Sequence, residues 1–187
     1  MKRTEILNEL IKKHGYTSYL EIGLGNGANF SQIACANKTG VDPEADVIMD
    51  PLSGVNVFSE SSDSFFDRSH DAEFDLIFID GDHNAEQVER DILNSWKCLN
   101  KGGRIVIHDI KPLDEVCQRV PRETVAWTGN VWRAWYGLKN NYPKLKTSYI
   151  EERVGLGVIE KSRHKIDPGF IDWETEYQEY HVKMGWR

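Results

Sequence analysis

The chain has 187 residues, of which 40% are hydrophobic, 28% charged and 11% aromatic, with a formal net charge of −7. That length suits one domain with a full core and is short for two, and the aromatic share excludes a disordered polymer. The acidic balance points away from nucleic acid, and a local basic patch such as Lys139, Lys144 and Lys146 reads as a solvated face. Cys35, Cys98 and Cys117 are odd in number and widely spaced, with no Cys-x-x-Cys pair, so they indicate neither a disulfide framework nor a zinc cluster and fit a reducing compartment. The first residues turn charged again by Glu9, and no apolar run approaches the ~18 residues that span a bilayer. The expectation is a cytoplasmic protein with no membrane and no nucleic-acid partner.

Taken in order, Thr4 to Lys13 place Ile6, Leu7, Leu10 and Ile11 at helical spacing before His14-Gly15, which predicts an amphipathic helix over about 4–14. Ser18 to Phe30 then reads as strand, tight turn and helix. Gly23, Gly25 and Gly27 allow φ > 0 and let a ligand lie against backbone N–H groups at a helix N-terminus. Fifteen residues after Gly27, the strand Lys38 to Val41 ends in Asp42, whose carboxylate could accept from the two hydroxyls of a ribose. The glycines alone do not name the nucleotide, because Gly23-x-Gly25-x-x-Ala28 also fits the dinucleotide fingerprint with alanine in its third place.

Pro43 to Gly54 reads as loop, and Val55 to Phe58 as a short strand. Ser61, Ser62 and Asp63 are placed to cap a helix through Phe65 and Phe66, and in a nucleotide cradle Ser62 and Asp63 would also lie near the adenine. Phe74 to Ile79 is the most apolar run and predicts a central strand covered on both faces. It ends in Asp80-Gly81-Asp82-His83. A helix over 85–99, with Val88, Ile92 and Trp96 four apart, closes at Asn100 to Gly103. Another buried strand, Arg104 to Ile107, ends in His108-Asp109. Strands alternate with helices, which predicts an α/β, Rossmann-like parallel sheet with right-handed crossovers.

Beyond a helix from Val131 to Leu138, the runs Leu145 to Ile150 and Gly155 to Ile159 read as two strands too closely joined to be parallel, giving an antiparallel pair at one edge. The tail over about 166–187 carries Trp173, Tyr177, Tyr180 and Met184 at spacings of four, three and four, a packing stripe expected to cover the cleft or a partner subunit of a homo-oligomer. A single domain over 1–187, with a core of about 18–160, is the expected organisation.

In open α/β sheets ligands bind outside the carboxyl ends of the strands. Gly23, Asp42, Ser62, Asp80 to His83 and His108-Asp109 all fall there. Four segments, Glu21 to Gly27, Gly40-Val41-Asp42-Pro43, the run Phe74 to His83, and Lys101-Gly102-Gly103-Arg104, resemble the class I S-adenosylmethionine-dependent methyltransferases. Phe78 to His83, His108 to Pro112 and Gly129 to Ala134 are similar to a subgroup of small-molecule and sugar O-methyltransferases. The resemblance covers about 18–160 and implies that Glu21, Gly23, Gly25, Gly27, Asp42, Pro43, Ser62 and Asp80 hold S-adenosylmethionine. It further implies a divalent metal, magnesium, manganese or zinc, on Asp80 and Asp109, with His83 as base and Asp80 beside it in the catalytic pair. His108 is a third candidate ligand, but successive strand residues point to opposite faces, so His108 and Asp109 can share the cleft only if the strand has turned. Asp82, Asn130 and Arg133 depart from the subgroup's pattern, so acceptor recognition does not carry over. Two other readings compete: a nicotinamide oxidoreductase using Tyr142 and Lys146, which Pro143 keeps off a common helix face, and a binding module without chemistry.

Overall fold

The computed structural model describes residues 2–46, 48–50, 53–68 and 73–186. Helix α1 (Arg3–His14) buries Ile6, Leu7 and Ile11 on one face and stops at Gly15, whose φ of 66° is left-handed. Strand β1 (Ser18–Ile22) runs through the glycine turn into a single helical turn, α2 (Ala28–Ser31). Then follow β2 (Asn37–Val41), β3 (Ile48–Asp50), β4 (Val55–Phe58), α3 (Ser62–Arg68), β5 (Phe74–Ile79), α4 (Ala85–Cys98) and β6 (Leu99–Ile107). The chain ends with α5 (Val131–Asn141), β7 (Thr147–Ile150), β8 (Leu156–Glu160) and α6 (Tyr177–Lys183).

The eight strands form one sheet in the order β3-β4-β2-β1-β5-β6-β8-β7. Strands β4, β2, β1, β5 and β6 are parallel, and β8 and β7 add an antiparallel pair at the β6 edge. The α/β class and that pair follow the sequence reading. The opposite edge differs, because β3 pairs antiparallel with β4 inside the stretch read as loop. A three-residue edge strand flanked by proline and glycine carries too short a pattern to register. At β6 the pairing jumps from Phe74–Leu99 to Leu76–Arg104, so the expected closing loop at Asn100 to Gly103 is a bulge within a longer strand.

The continuous apolar run of β5 is explained by two covers. Ile77 and Ile79 pack with Val88, Ile92 and Trp135 from α4 and α5, whereas Leu76 and Phe78 pack with Ile6, Leu7 and Ile11 of α1. The tail is anchored at one residue above all. Tyr180 is fully buried, its ring lies 4.5 Å from that of Trp132, and its hydroxyl donates to the Ile110 carbonyl at 2.6 Å. Trp173 leaves the stripe, because it precedes α6 and stays 50% exposed. Among the described residues no helix is long and apolar enough to cross a membrane.

Candidate active site

The strand order reverses about β1, which has β2 on one side and β5 on the other. The ladders continue one residue past each strand: Gly23 N–H donates to Val41, Asp42 to Phe58, Asp80 to Ile22 and His108 to Ile79. These bonds hold four site residues in a row along the carboxyl edge. Gly23 is required for packing as well, since a Cβ there would lie 2.2 Å from the Asp80 carbonyl oxygen.

Two adjoining hollows open on that edge. One, of about 460 Å³, is lined by Gly23, Gly25, Asp42, Pro43, Ser62 and Asp80, six of the eight residues assigned to the cofactor, together with Gln87 and Asp91 of α4. Glu21 lines the other hollow, of about 570 Å³, while Gly27 faces a separate hollow bordered by Phe30 and Lys38. Asp42 also organises the turn: Oδ2 accepts from the Leu24 and Gly25 amides at 2.9 and 3.0 Å, and Oδ1 from Glu44 at 2.8 Å. Since α2 is only one turn long, these bonds rather than a helix dipole shape the cradle.

Glu21 is buried, and its Oε2 accepts from the Tyr19 hydroxyl at 2.6 Å and the Asn29 amide at 2.9 Å. Burial pushes its pKa up to about 7 despite those donors. On α4, Gln87 donates to both Ser62 Oγ and Asp91 Oδ1, and burial raises Asp91 to about 6. Gln87 and Asp91 are four apart on one helix face, a polar spacing set beside the apolar one of Val88, Ile92 and Trp96.

The larger hollow contains Asp80, His83, His108 and Asp109. Asp109 has φ of 60°, the one non-glycine residue among those described in the left-handed region. This is the turn that brings His108 and Asp109 into the cleft together. His83 Nε2 lies 3.2 Å from Asp109 Oδ2 and 3.7 Å from Asp80 Oδ1, and its Nδ1 is 3.1 Å from the Trp127 carbonyl oxygen. The Trp127 ring stacks on the imidazole at 5.1 Å. His108 Nδ1 sits between Asp80 Oδ1 at 2.9 Å and Asp109 Oδ2 at 3.2 Å, with Nε2 at 3.5 Å from Glu152. Burial would lower both histidine pKa values, but the surrounding carboxylates raise His83 and carry His108 well above its ordinary value. Burial would likewise raise Asp80, yet His108, His83 and Arg3 hold it well below the usual carboxylate range.

Gly129 and Asn130 clasp this loop. A Cβ on Gly129 would lie 2.0 Å from the His83 carbonyl oxygen; the Asn130 amide donates to that oxygen, and its side chain accepts from Ala85 N–H at 2.6 Å. Asp82 accepts from the Asn84 backbone and side chain, closing the turn into α4. Arg3, Trp127 and Glu152 join the site from distant segments and had no motif to announce them. Tyr142 and Lys146 do not line the cleft: the Tyr142 hydroxyl bonds Asp167, and Lys146 pairs with Glu160.

Asp80, His83 and Asp109 each offer one ligand atom, all within 4.8 Å of one another. Two carboxylate oxygens and one imidazole nitrogen fit a divalent ion, and the nitrogen favours manganese or zinc over magnesium. His83, rather than His108, completes that set, because His108 Nδ1 is spent on the two carboxylates.

Residues 20–110 match a methyltransferase domain family, a span running from β1 past Asp109 and covering the glycine turn, Asp42 and both acid-bearing strand ends. No curated protein matches the sequence. The O-methyltransferase from Bacillus cereus in complex with SAH superposes with a TM-score of 0.61 at 16% identity, covering 85% of this chain and 80% of that one. For the O-methyltransferase TomG from Streptomyces achromogenes, involved in tomaymycin synthesis and in complex with SAM, the values are 0.60, 15%, 86% and 79%. For the N-methyltransferase NodS from Bradyrhizobium japonicum they are 0.54, 18%, 85% and 94%. Identities this low speak for the fold, and the fold is that of the class I methyltransferases. The domain match runs over the same strands, so sequence and fold agree in their likeness to the S-adenosylmethionine-dependent methyltransferases.

Proposed function

We propose that this enzyme transfers a methyl group from S-adenosylmethionine to a hydroxyl oxygen of a small-molecule or sugar acceptor, with His83 as the general base. The observation that carries the reading is the setting of His83. A carbonyl can only accept, so the Trp127 oxygen keeps the proton on Nδ1, and Nε2, turned into the cleft beside Asp109 and Asp80, is the nitrogen that in the neutral ring takes the proton of an acceptor hydroxyl. Asp109 and Asp80, beside Nε2, stabilise the imidazolium that forms. Such a base contributes roughly 10²–10⁴-fold to the rate. The bound cofactor supplies an electrophilic methyl on its sulfonium; this chain's part is to align it and to exclude water. Asp42 shapes the turn, and Leu113, Val125, Ala126 and Trp127 form the apolar side of the acceptor hollow. A divalent ion on Asp80, His83 and Asp109 would supply Lewis acidity at the acceptor oxygen, in place of proton acceptance by the same imidazole.

The test is transfer of a radiolabelled methyl group to a panel of sugars, phenols and amines, with and without added manganese. The reading expects label on hydroxyl acceptors, reduced at least tenfold in His83→Ala. Transfer to amines alone would move the assignment to nitrogen, and undiminished turnover in His83→Ala would remove the base.

A further inference from the structure

The cleft already contains a permanent cation. Arg3, at the first position of α1, reaches from the rim with its side chain 37% exposed and places Nη1 2.7 Å from Asp80 Oδ2 and 3.4 Å from His108 Nδ1. With His108 on Oδ1, both oxygens of Asp80 are engaged. The helix that delivers Arg3 is fixed twice over. Ile6, Leu7 and Ile11 are buried against the sheet, and the Thr4 hydroxyl donates at 2.7 Å to Asn29, whose amide donates in turn to Glu21.

We propose that Arg3 is the resident counter-cation of the Asp80 carboxylate, and that a divalent ion enters the Asp80–His83–Asp109 set only in competition with it. The inference rests on reading this cleft as the catalytic site. A guanidinium keeps its charge at every working pH and has no lone pair to give a metal, so it neutralises Asp80 without ever becoming a ligand. An ion bound through Asp80 would face that guanidinium across a single, largely buried carboxylate, and the two like charges would repel. While Arg3 holds Asp80, the Nε2 of His83 is not drawn onto a metal and keeps its place beside Asp109 for proton transfer. Arg3 thus tips the site toward base catalysis and away from metal chemistry.

Manganese binding tests this directly, because free Mn²⁺ is counted by its electron paramagnetic resonance signal with neither cofactor nor acceptor present. Arg3→Gln removes the charge and is expected to bind Mn²⁺ at least tenfold more tightly than the wild type. Arg3→Lys keeps the charge and is expected to stay near the wild type, and Arg3→Met, which keeps the aliphatic stem, repeats the gain. Adding Asp109→Asn to Arg3→Gln is expected to abolish that gain, which locates the ion in the cluster. Equal affinities in the wild type and both neutral variants, whether strong or undetectable, would overturn the proposal, as would a gain that survives Asp109→Asn. A negative result here leaves methyl transfer standing, and failure of the transfer assay leaves the Mn²⁺ series readable.

Discussion

Glu21 offers a perturbation whose size follows from its surroundings. The carboxyl is 1% exposed and titrates at about 7 when folded, against an ordinary value of 4.5. Because the folded pKa is raised, the native state binds the extra proton between those two values, so stability falls as pH rises through that window. The rise from 4.5 to about 7 corresponds to about 3 kcal/mol between pH 4 and pH 8, with a steepest slope of about 1.4 kcal/mol per pH unit. Glu21→Gln keeps one oxygen to accept from Tyr19 and Asn29 and cannot ionise. Urea unfolding of both proteins at half-unit steps measures the difference, and subtracting the curves removes every other titrating group. The wild type is expected to lose about 3 kcal/mol relative to the variant on going from pH 4 to pH 8. Curves that stay parallel would show that Glu21 ionises as readily folded as unfolded, and the argument from burial would fail.

Other expectations follow from the same contacts. Asp42→Ala strips the Leu24 and Gly25 amides of their acceptor, and calorimetry should find S-adenosylhomocysteine binding weakened by about 1.5–3 kcal/mol; unchanged affinity would remove Asp42 from the cofactor site. Asp109→Ala should cut turnover at least roughly tenfold in the labelled-methyl assay while cofactor affinity stays nearly intact. Tyr180→Ala empties a fully buried ring site and breaks the bond to Ile110, so thermal or urea unfolding should register a loss of about 3–5 kcal/mol. A loss under 1 kcal/mol would mean that α6 does not hold the tail down.

The legible parts of the sequence were those where one physical demand dominates a short window. Phe74 to Ile79 must be apolar throughout because both faces are covered, and Gly23 must lack a Cβ because the Asp80 backbone passes against it. Asp80, His83, His108 and Asp109 could be grouped because parallel strands end on one edge. That His108 and Asp109 share the cleft was beyond the sequence, since it depends on a left-handed turn at Asp109 that a non-glycine residue does not advertise. Arg3 and Glu152 were illegible for another reason. They lie 77 and 72 residues from Asp80, on α1 and on the β7–β8 connection, and only the packing of α1 under β5 and of β8 beside β6 brings them in. The edge strand β3 was lost among turn residues.

The edge formed by Gly23, Gly25, Asp42, Ser62 and Asp80 is the proposed binding site for S-adenosylmethionine. Isothermal titration of the wild-type protein with S-adenosylhomocysteine, and in parallel with NADH, tests it without knowledge of the acceptor. Saturable binding of S-adenosylhomocysteine at one site per chain, with no heat from NADH, is the expected result. Binding of NADH, or no binding of S-adenosylhomocysteine to folded protein, would contradict it.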